Sequence, residues 1–225
     1  MTTVMGQQVS LVRQLWRLTL GARRRHQIAR LLLPRQPDVV DGKWVRWSRV
    51  EMDRQTRKMV GGLGPQNLDA LEISGEGWAD FGFRSYRQVE FPQFDICGQT
   101  LEQRFDLIIA EQVFEHLLWP YRAGRNVCAM LKPGGHFLVS TPFLVKVHDW
   151  PVDCSHWTEL GLKHFLAECG FELDSCRTGS WGNRESVWAH FQAEQPVTYR
   201  PGKHTLSNER EFPHHVWALA RKPAA

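Results

Sequence analysis

The densest group of proton-transferring side chains in this 225-residue chain is VHDWPVDCSHWT, residues 147–158. It packs His148, Asp149, Asp153, His156 and two tryptophans into 12 positions. A histidine changes charge near neutral pH, so residues of this type suit the removal of a proton from a reacting group. The same side chains serve equally well as hydrogen bonds that hold a loop. A second chemical signal is LEISGEGW, residues 71–78, an apolar strand with an acid near its end that runs into small residues. A tight turn without bulky side chains lets backbone N–H groups approach a polar ligand. The segment lacks the G-x-G-x-x-G spacing that a pyrophosphate requires, which argues against a nicotinamide dehydrogenase.

The elements that must position these residues follow from periodicity. Leu68 to Ile73, Arg87 to Phe91, Phe105 to Ala110, His136 to Thr141, Phe171 to Arg177 and His215 to Arg221 read as strands. FDLIIA at 105–110 is a nearly continuous apolar run, as expected of a strand covered on both faces. Helices are expected from about Arg49 to Val60, from Pro120 to Leu131, and after Thr158, which can cap a helix that Gly170 closes. Such alternation specifies an α/β fold with a doubly wound, mostly parallel sheet, and ligands at the carboxyl ends of its strands.

Charge divides the chain. Residues 1–58 hold thirteen Lys and Arg against four Asp and Glu, a net +9, whereas the remainder carries −5. Leu11, Leu15 and Leu18 recur at helical spacing among arginines, so a basic amphipathic helix is expected there. The expected division is a basic helical arm or lid over 1–64 and an α/β domain over 65–225. No apolar run approaches the roughly 20 residues of a membrane span, and Arg13 and Arg17 interrupt what would be the centre of a signal peptide. A cytoplasmic location is expected. Cys97, Cys128, Cys154, Cys169 and Cys176 are scattered and form no C-x-x-C pair. Neither a disulfide scaffold nor a zinc knuckle is expected, and no metal site is assigned.

The order Glu72, Gly75, Gly77, Glu90, Asp95, then FDLIIAEQVFEHL (105–117), then LKPGGHFLVSTP (131–142), resembles the class I S-adenosylmethionine-dependent methyltransferases, in particular the small-molecule group often labelled type 11. The resemblance covers about residues 68–177. It implies a Rossmann-like sheet of about seven strands, the last antiparallel, and S-adenosylmethionine as cofactor. It also implies that Glu72, Ser74, Gly75 and Gly77 line the methionine half, that Glu90 accepts from the ribose hydroxyls, that Asp95 and Ile96 hold the adenine, and that Ala110 and Glu111 lie beneath the sulfonium. His116 would pack or cap as a structural residue. Ser74, Glu76 and Trp78 stand where the family has three glycines, and the short spacing from Glu72 to Asp95 requires a crossover helix to be shortened or lost. The 147–158 loop falls where the family places its acceptor, which makes His148, or His156, the base that would take the acceptor's proton.

The expected activity is methyl transfer to an oxygen or nitrogen of a small-molecule or glycan-like acceptor. The alternatives are a non-catalytic binding or regulatory protein on the same fold and a methyltransferase acting on RNA, to which the basic arm is suited. Segments 49–60 and 178–212 would cover the cofactor and shape the acceptor pocket respectively. A homodimer is left open.

Overall fold

The computed structural model describes residues 39–40, 43–148 and 151–224, with side chains from Val45 onward. The expected basic helix around Leu11 to Leu18 lies outside these residues, as do Asp149 and Trp150. The strands are β1 (Val39–Val40), β2 (Lys43–Trp44), β3 (Asp69–Ile73), β4 (Ser85–Val89), β5 (Phe105–Glu111), β6 (Leu131–Pro142), β7 (Arg177–Trp181) and β8 (His215–Arg221). The helices are α1 (Val50–Gly61), α2 (Pro120–Met130), α3 (Glu159–Glu168) and α4 (Arg184–Gln192). Apart from the small β1–β2 pair, the strands form one six-stranded sheet in the order β4-β3-β5-β6-β8-β7. β4, β3, β5 and β6 run parallel, and β8 is antiparallel to both neighbours. The α/β class and the antiparallel last strand are as expected; the strand count is six against about seven.

Side-chain alternation explains the layers. Ile108 and Ala110 of β5 face a core containing Ala123, Val127 and Met130 of α2 and Leu162, Phe165 and Leu166 of α3. Leu107 and Ile109 face the opposite way, toward Val60 and Trp78. Met52 of α1 packs with Trp47, Trp181 and Trp217 in a third cluster on the α1 side. Met52 and Val60 have no exposed surface, so residues 50–61 form one layer of the α/β body. Trp47, just before α1, is pinned in turn: its N–H donates to Val197 O at 2.8 Å and its indole to Thr205 O at 2.8 Å.

The strand expected at 171–177 is displaced, and helix loss in the crossovers goes further than the one shortened or lost helix expected. Residues 171–176 form a turn, and the strand begins only at Arg177, because the apolar Phe171 and Cys176 are buried against α3's core without pairing to a strand. The crossovers between β3 and β4 and between β4 and β5 contain only turns, so both lack a helix. On the α1 side of the sheet, aromatic rings occupy the face an absent helix would cover. Trp78, Phe81, Phe83 and Tyr86 form a chain with successive centroid separations of 4.7, 5.5 and 6.4 Å. Trp78, at the third family glycine position, is therefore a core residue.

Thr158 caps α3 by accepting from Gly161 N at 3.1 Å, and Gly170, at φ +102°, ends the turn that follows α3. At the start of β8, His214 and His215 stack at 5.1 Å and are both buried. Burial pushes His214 down to about 3 from its ordinary 6.5 and lowers His215 as well. A depressed imidazole leaves the folded state with fewer bound protons than the unfolded chain, so stability is kept above 6.5 and falls below it. His214 alone should cost about 1.4 kcal/mol per pH unit between 6.5 and its folded pKa. Urea unfolding at pH 7 and pH 5 measures this; an identical pH slope in wild type and His214→Gln would refute it.

Candidate functional site

The carboxyl ends of β3 and β5 carry the two non-glycine residues with left-handed backbone among the described residues, Ser74 (φ 58°) and Gln112 (φ 55°). Such conformations cost free energy and cluster where a chain is shaped for a ligand. Ser74 N–H donates to Val89 O and Gln112 N–H to Ser140 O, both at 2.8 Å, so each turn is tied to the next strand.

Glu72 organises the first turn. It is 3% exposed and its Oε1 accepts from Gly77 N at 3.1 Å. Oε2 accepts from Trp78 N at 3.0 Å and from Tyr86 Oη at 2.5 Å. All of these bonds fold the loop back onto the carboxylate. A Cβ at Gly75 would stand 2.6 Å from Glu72 Oε1, which explains a glycine there. Arg57 of α1 closes the far side by donating to Gly77 O at 3.0 Å, its guanidinium 4.9 Å above the Trp78 ring.

Glu90 follows β4 directly. Since Val89 pairs with Ile73, Glu90 emerges beside Ser74 at the carboxyl edge, exposed. Asp95 is exposed and its side chain accepts from Cys97 N at 2.9 Å, while Ile96 is buried and its carbonyl accepts from Asn126 Nδ2 at 2.7 Å. Ala110 is fully buried. Glu111 Oε1 is buried without a formed hydrogen bond, as are Trp78 Nε1 and, at the end of β6, Thr141 Oγ1. Burial raises the Glu111 pKa against the opposing pull of Arg49. The Trp78 indole N–H acts on the Glu111 carboxyl and lowers its pKa against burial, and an acid at the ligand end of a parallel sheet fits a polar, cationic ligand.

The predicted histidines converge on one carboxylate. Asp153, whose side chain is 4% exposed, places Oδ1 2.8 Å from His156 Nε2 and Oδ2 3.1 Å from His148 Nδ1. Oδ2 also accepts from His148 N at 3.0 Å. Burial pushes Asp153 up, but the His148 N–H and the two imidazoles outweigh it and hold the carboxyl below its ordinary pKa. A carboxylate and a carbonyl only accept, so His156 carries its proton on Nε2, bonded to Asp153, and His148 carries its proton on Nδ1, bonded to Lys146 O at 3.3 Å. The other nitrogen, Nδ1 of His156 and Nε2 of His148, presents a lone pair.

Sequence reasoning gave no role to Glu115 and read His116 as structural. In the fold His116 Nδ1 lies 2.5 Å from Val152 O, and Cys154 N–H donates to Glu115 O at 2.7 Å, so this turn anchors the 147–158 loop. The His116 and His148 rings meet edge to face at 5.1 Å. Glu115 is 1% exposed, its Oε2 has no partner, and burial pushes its pKa up to about 8. Its signal in the sequence was an acid inside the apolar run VFEHL, a placement that needs a partner or a ligand. Segment 178–212, expected at the acceptor pocket, forms β7 and α4; a cleft beside α4 is lined by Arg184, Glu185, Val187, Trp188, Glu209 and Phe212.

A family model described as a methyltransferase domain matches residues 53–175, more than half of the chain. No curated protein sequence matches significantly. Among solved structures, an S-adenosylmethionine-dependent methyltransferase from Mesorhizobium loti is 17% identical with a TM-score of 0.50, covering 75% of this chain and 96% of its own. An S-adenosylmethionine-dependent methyltransferase from Thermotoga maritima is 12% identical with a TM-score of 0.50, covering 78% and 98%. The [4+2]-cyclase SpnF is 18% identical with a TM-score of 0.51, covering 84% and 86%. At these identities the likenesses establish the fold. Together with the family match, the sheet order and the strand-end site show that the chain belongs to the methyltransferase-domain family and has the class I fold of S-adenosylmethionine-dependent methyltransferases.

Proposed function

We propose that the protein transfers a methyl group from S-adenosylmethionine to an oxygen or nitrogen of a small-molecule or glycan-like acceptor. The observation that carries the reading is the buried Asp153 carboxylate between His148 and His156, which together with Lys146 O fixes both tautomers and leaves each ring a basic nitrogen. Bound S-adenosylmethionine supplies an electrophilic methyl on a sulfonium. Glu72 shapes the loop of Ser74, Gly75 and Gly77 that would hold its methionine half, Glu90 would bind the ribose, and Asp95 with Ile96 would flank the adenine. Ala110 and Glu111 would lie beneath the cationic centre, where a carboxylate stabilises positive charge. His148 or His156 would remove the acceptor's proton as the methyl arrives, a role that needs alignment as much as basicity.

Calorimetry with S-adenosylmethionine tests the donor half of this reading. Binding is expected, and its absence at millimolar concentration would favour the non-catalytic binder, a reading that the full occupation of Glu72 by its own loop favours. His148→Ala and His156→Ala test the acceptor half. Loss of the true base should lower kcat about 100-fold or more while leaving donor affinity unchanged, and full turnover in both variants would remove the histidines from the mechanism.

A further inference from the structure

We propose that Glu115, His116 and His148 form a binding site for a divalent transition-metal ion of the Zn²⁺ class. One carboxylate oxygen or ring nitrogen from each residue lies within 4.8 Å of the others. Ligand atoms around a four-coordinate Zn²⁺ stand roughly 3.5 Å apart, so binding needs a contraction of about 1 Å. Glu115 Oε1 and His116 Nε2, from adjacent residues of one 3-10 turn, are already at 3.7 Å.

Three independent features single out this set. Glu115 Oε2 is a carboxylate oxygen with no partner in a residue 1% exposed, and Oε1 of the same carboxylate lies 3.7 Å from His116 Nε2; a buried acid without a partner calls for a cation. His116 Nδ1 faces the Val152 carbonyl, an atom that only accepts, so the proton sits on Nδ1 and Nε2, 3.7 Å from Glu115 Oε1, keeps its lone pair. His148 Nδ1 faces two acceptors, Asp153 Oδ2 at 3.1 Å and Lys146 O at 3.3 Å, which leaves its Nε2 lone pair available. Imidazoles that bind metals have this arrangement: the second nitrogen donates to a carbonyl or carboxylate, which fixes the tautomer and the ring. Two histidines and one carboxylate are a donor set for Zn²⁺ and its neighbours, and three protein ligands leave a coordination position open.

His148, Asp153 and His156 form a second group of the same composition, but there the carboxylate is engaged by hydrogen bonds from His156 Nε2 and His148 N and lies 3.1 Å from His148 Nδ1. Asp153 is thus a positioning residue for His148, and His156 stays outside the ligand set with its own basic nitrogen. An ion at Glu115, His116 and His148 would bind and acidify an oxygen of the acceptor at its open position. That use rests on the methyl-transfer reading, whereas metal binding does not.

The test titrates chelator-treated full-length protein with Zn²⁺ by calorimetry and with Co²⁺ by visible absorption, with neither methyl donor nor acceptor present. The expected result is one ion per chain at micromolar concentration with ligand-field bands of a low-coordinate Co²⁺ site. His148→Ala, on a loop side chain 41% exposed, and the isosteric Glu115→Gln should each weaken binding at least about 100-fold, and Asp153→Asn about 10- to 100-fold. Circular dichroism confirms that each variant is folded. No binding by wild type, or binding unchanged in folded His148→Ala, would overturn the proposal. Binding lost in His156→Ala but intact in Glu115→Gln would overturn this ligand set in favour of the second group. Since no methyl transfer is measured, failure of the proposed function and failure of the metal site give separate results.

Discussion

Glu72→Gln is expected to weaken S-adenosylmethionine binding about 10- to 100-fold, equivalent to about 1.4 to 2.8 kcal/mol, and to lower unfolding stability by about 1 to 3 kcal/mol. The side chain keeps its length and shape, so the effect isolates the hydrogen-bond pattern. The carboxylate receives three donors, Gly77 N on one oxygen and Trp78 N with Tyr86 Oη on the other. An amide offers one oxygen and two N–H groups. Whichever way it turns, its NH₂ faces an N–H or O–H donor, and at least one backbone N–H of the turn loses its partner in a buried site. The turn then samples other conformations, and the backbone N–H groups presented beyond Ser74 are no longer held in place. Calorimetry and urea unfolding on the same preparation provide both numbers. Donor affinity equal to wild type would show that Ser74 and Gly75 hold the turn without the carboxylate, and would remove Glu72 from the cofactor site.

Asp153→Asn is expected to reduce kcat about 100-fold or more with donor affinity unchanged. Asp153 now accepts from His156 Nε2 and from His148 N, which puts the His156 proton on the nitrogen facing it, while His148 Nδ1 bonds to Lys146 O. Asparagine retains one acceptor; with that oxygen kept for the His148 N–H, its NH₂ must face His156 Nε2 and donate to it. That ring takes the opposite tautomer, with its proton where the lone pair is needed. The loss of negative charge also removes what stabilises an imidazolium after proton transfer. The substitution changes the 147–158 loop little in volume, so kcat and the donor dissociation constant separate its chemical role from a structural one. An unchanged kcat would remove His156 as the base of the reaction.

Much of the fold is legible in local patterns. The run FDLIIA at 105–110 demanded cover on both faces, and β5 has it, with α1 and Trp78 on one side and α2 and α3 on the other. β8 occupies the expected residues and is fully paired, antiparallel to both β6 and β7. The boundaries of α1 and α2 and the Thr158 cap follow from apolar spacing, proline and hydroxyl chemistry, all of which act over a few residues. Where the pattern was apolar but the pairing non-local, the reading slipped: 171–176 has the composition of a strand, yet the ladder to β8 starts at Arg177. α4 was missed because its capping box, Asn183 with Ser186, lies in a stretch without clear periodicity.

The chain by itself determined the residue types at the strand ends, the density of His and Asp in 147–158, and the family to which they belong. Only tertiary structure decided how they combine. Glu115 and His116 lie more than thirty residues before His148 in sequence, and it is the pairing of β5 with β6 that delivers both segments to one end of the sheet. Trp78 likewise reads as a damaged glycine motif in one dimension and as the cover of an exposed sheet face in three. The physical reason is shared: burial and hydrogen-bond partnership are properties of neighbours in space, and a parallel sheet brings together residues whose separation along the chain carries no record of the contact.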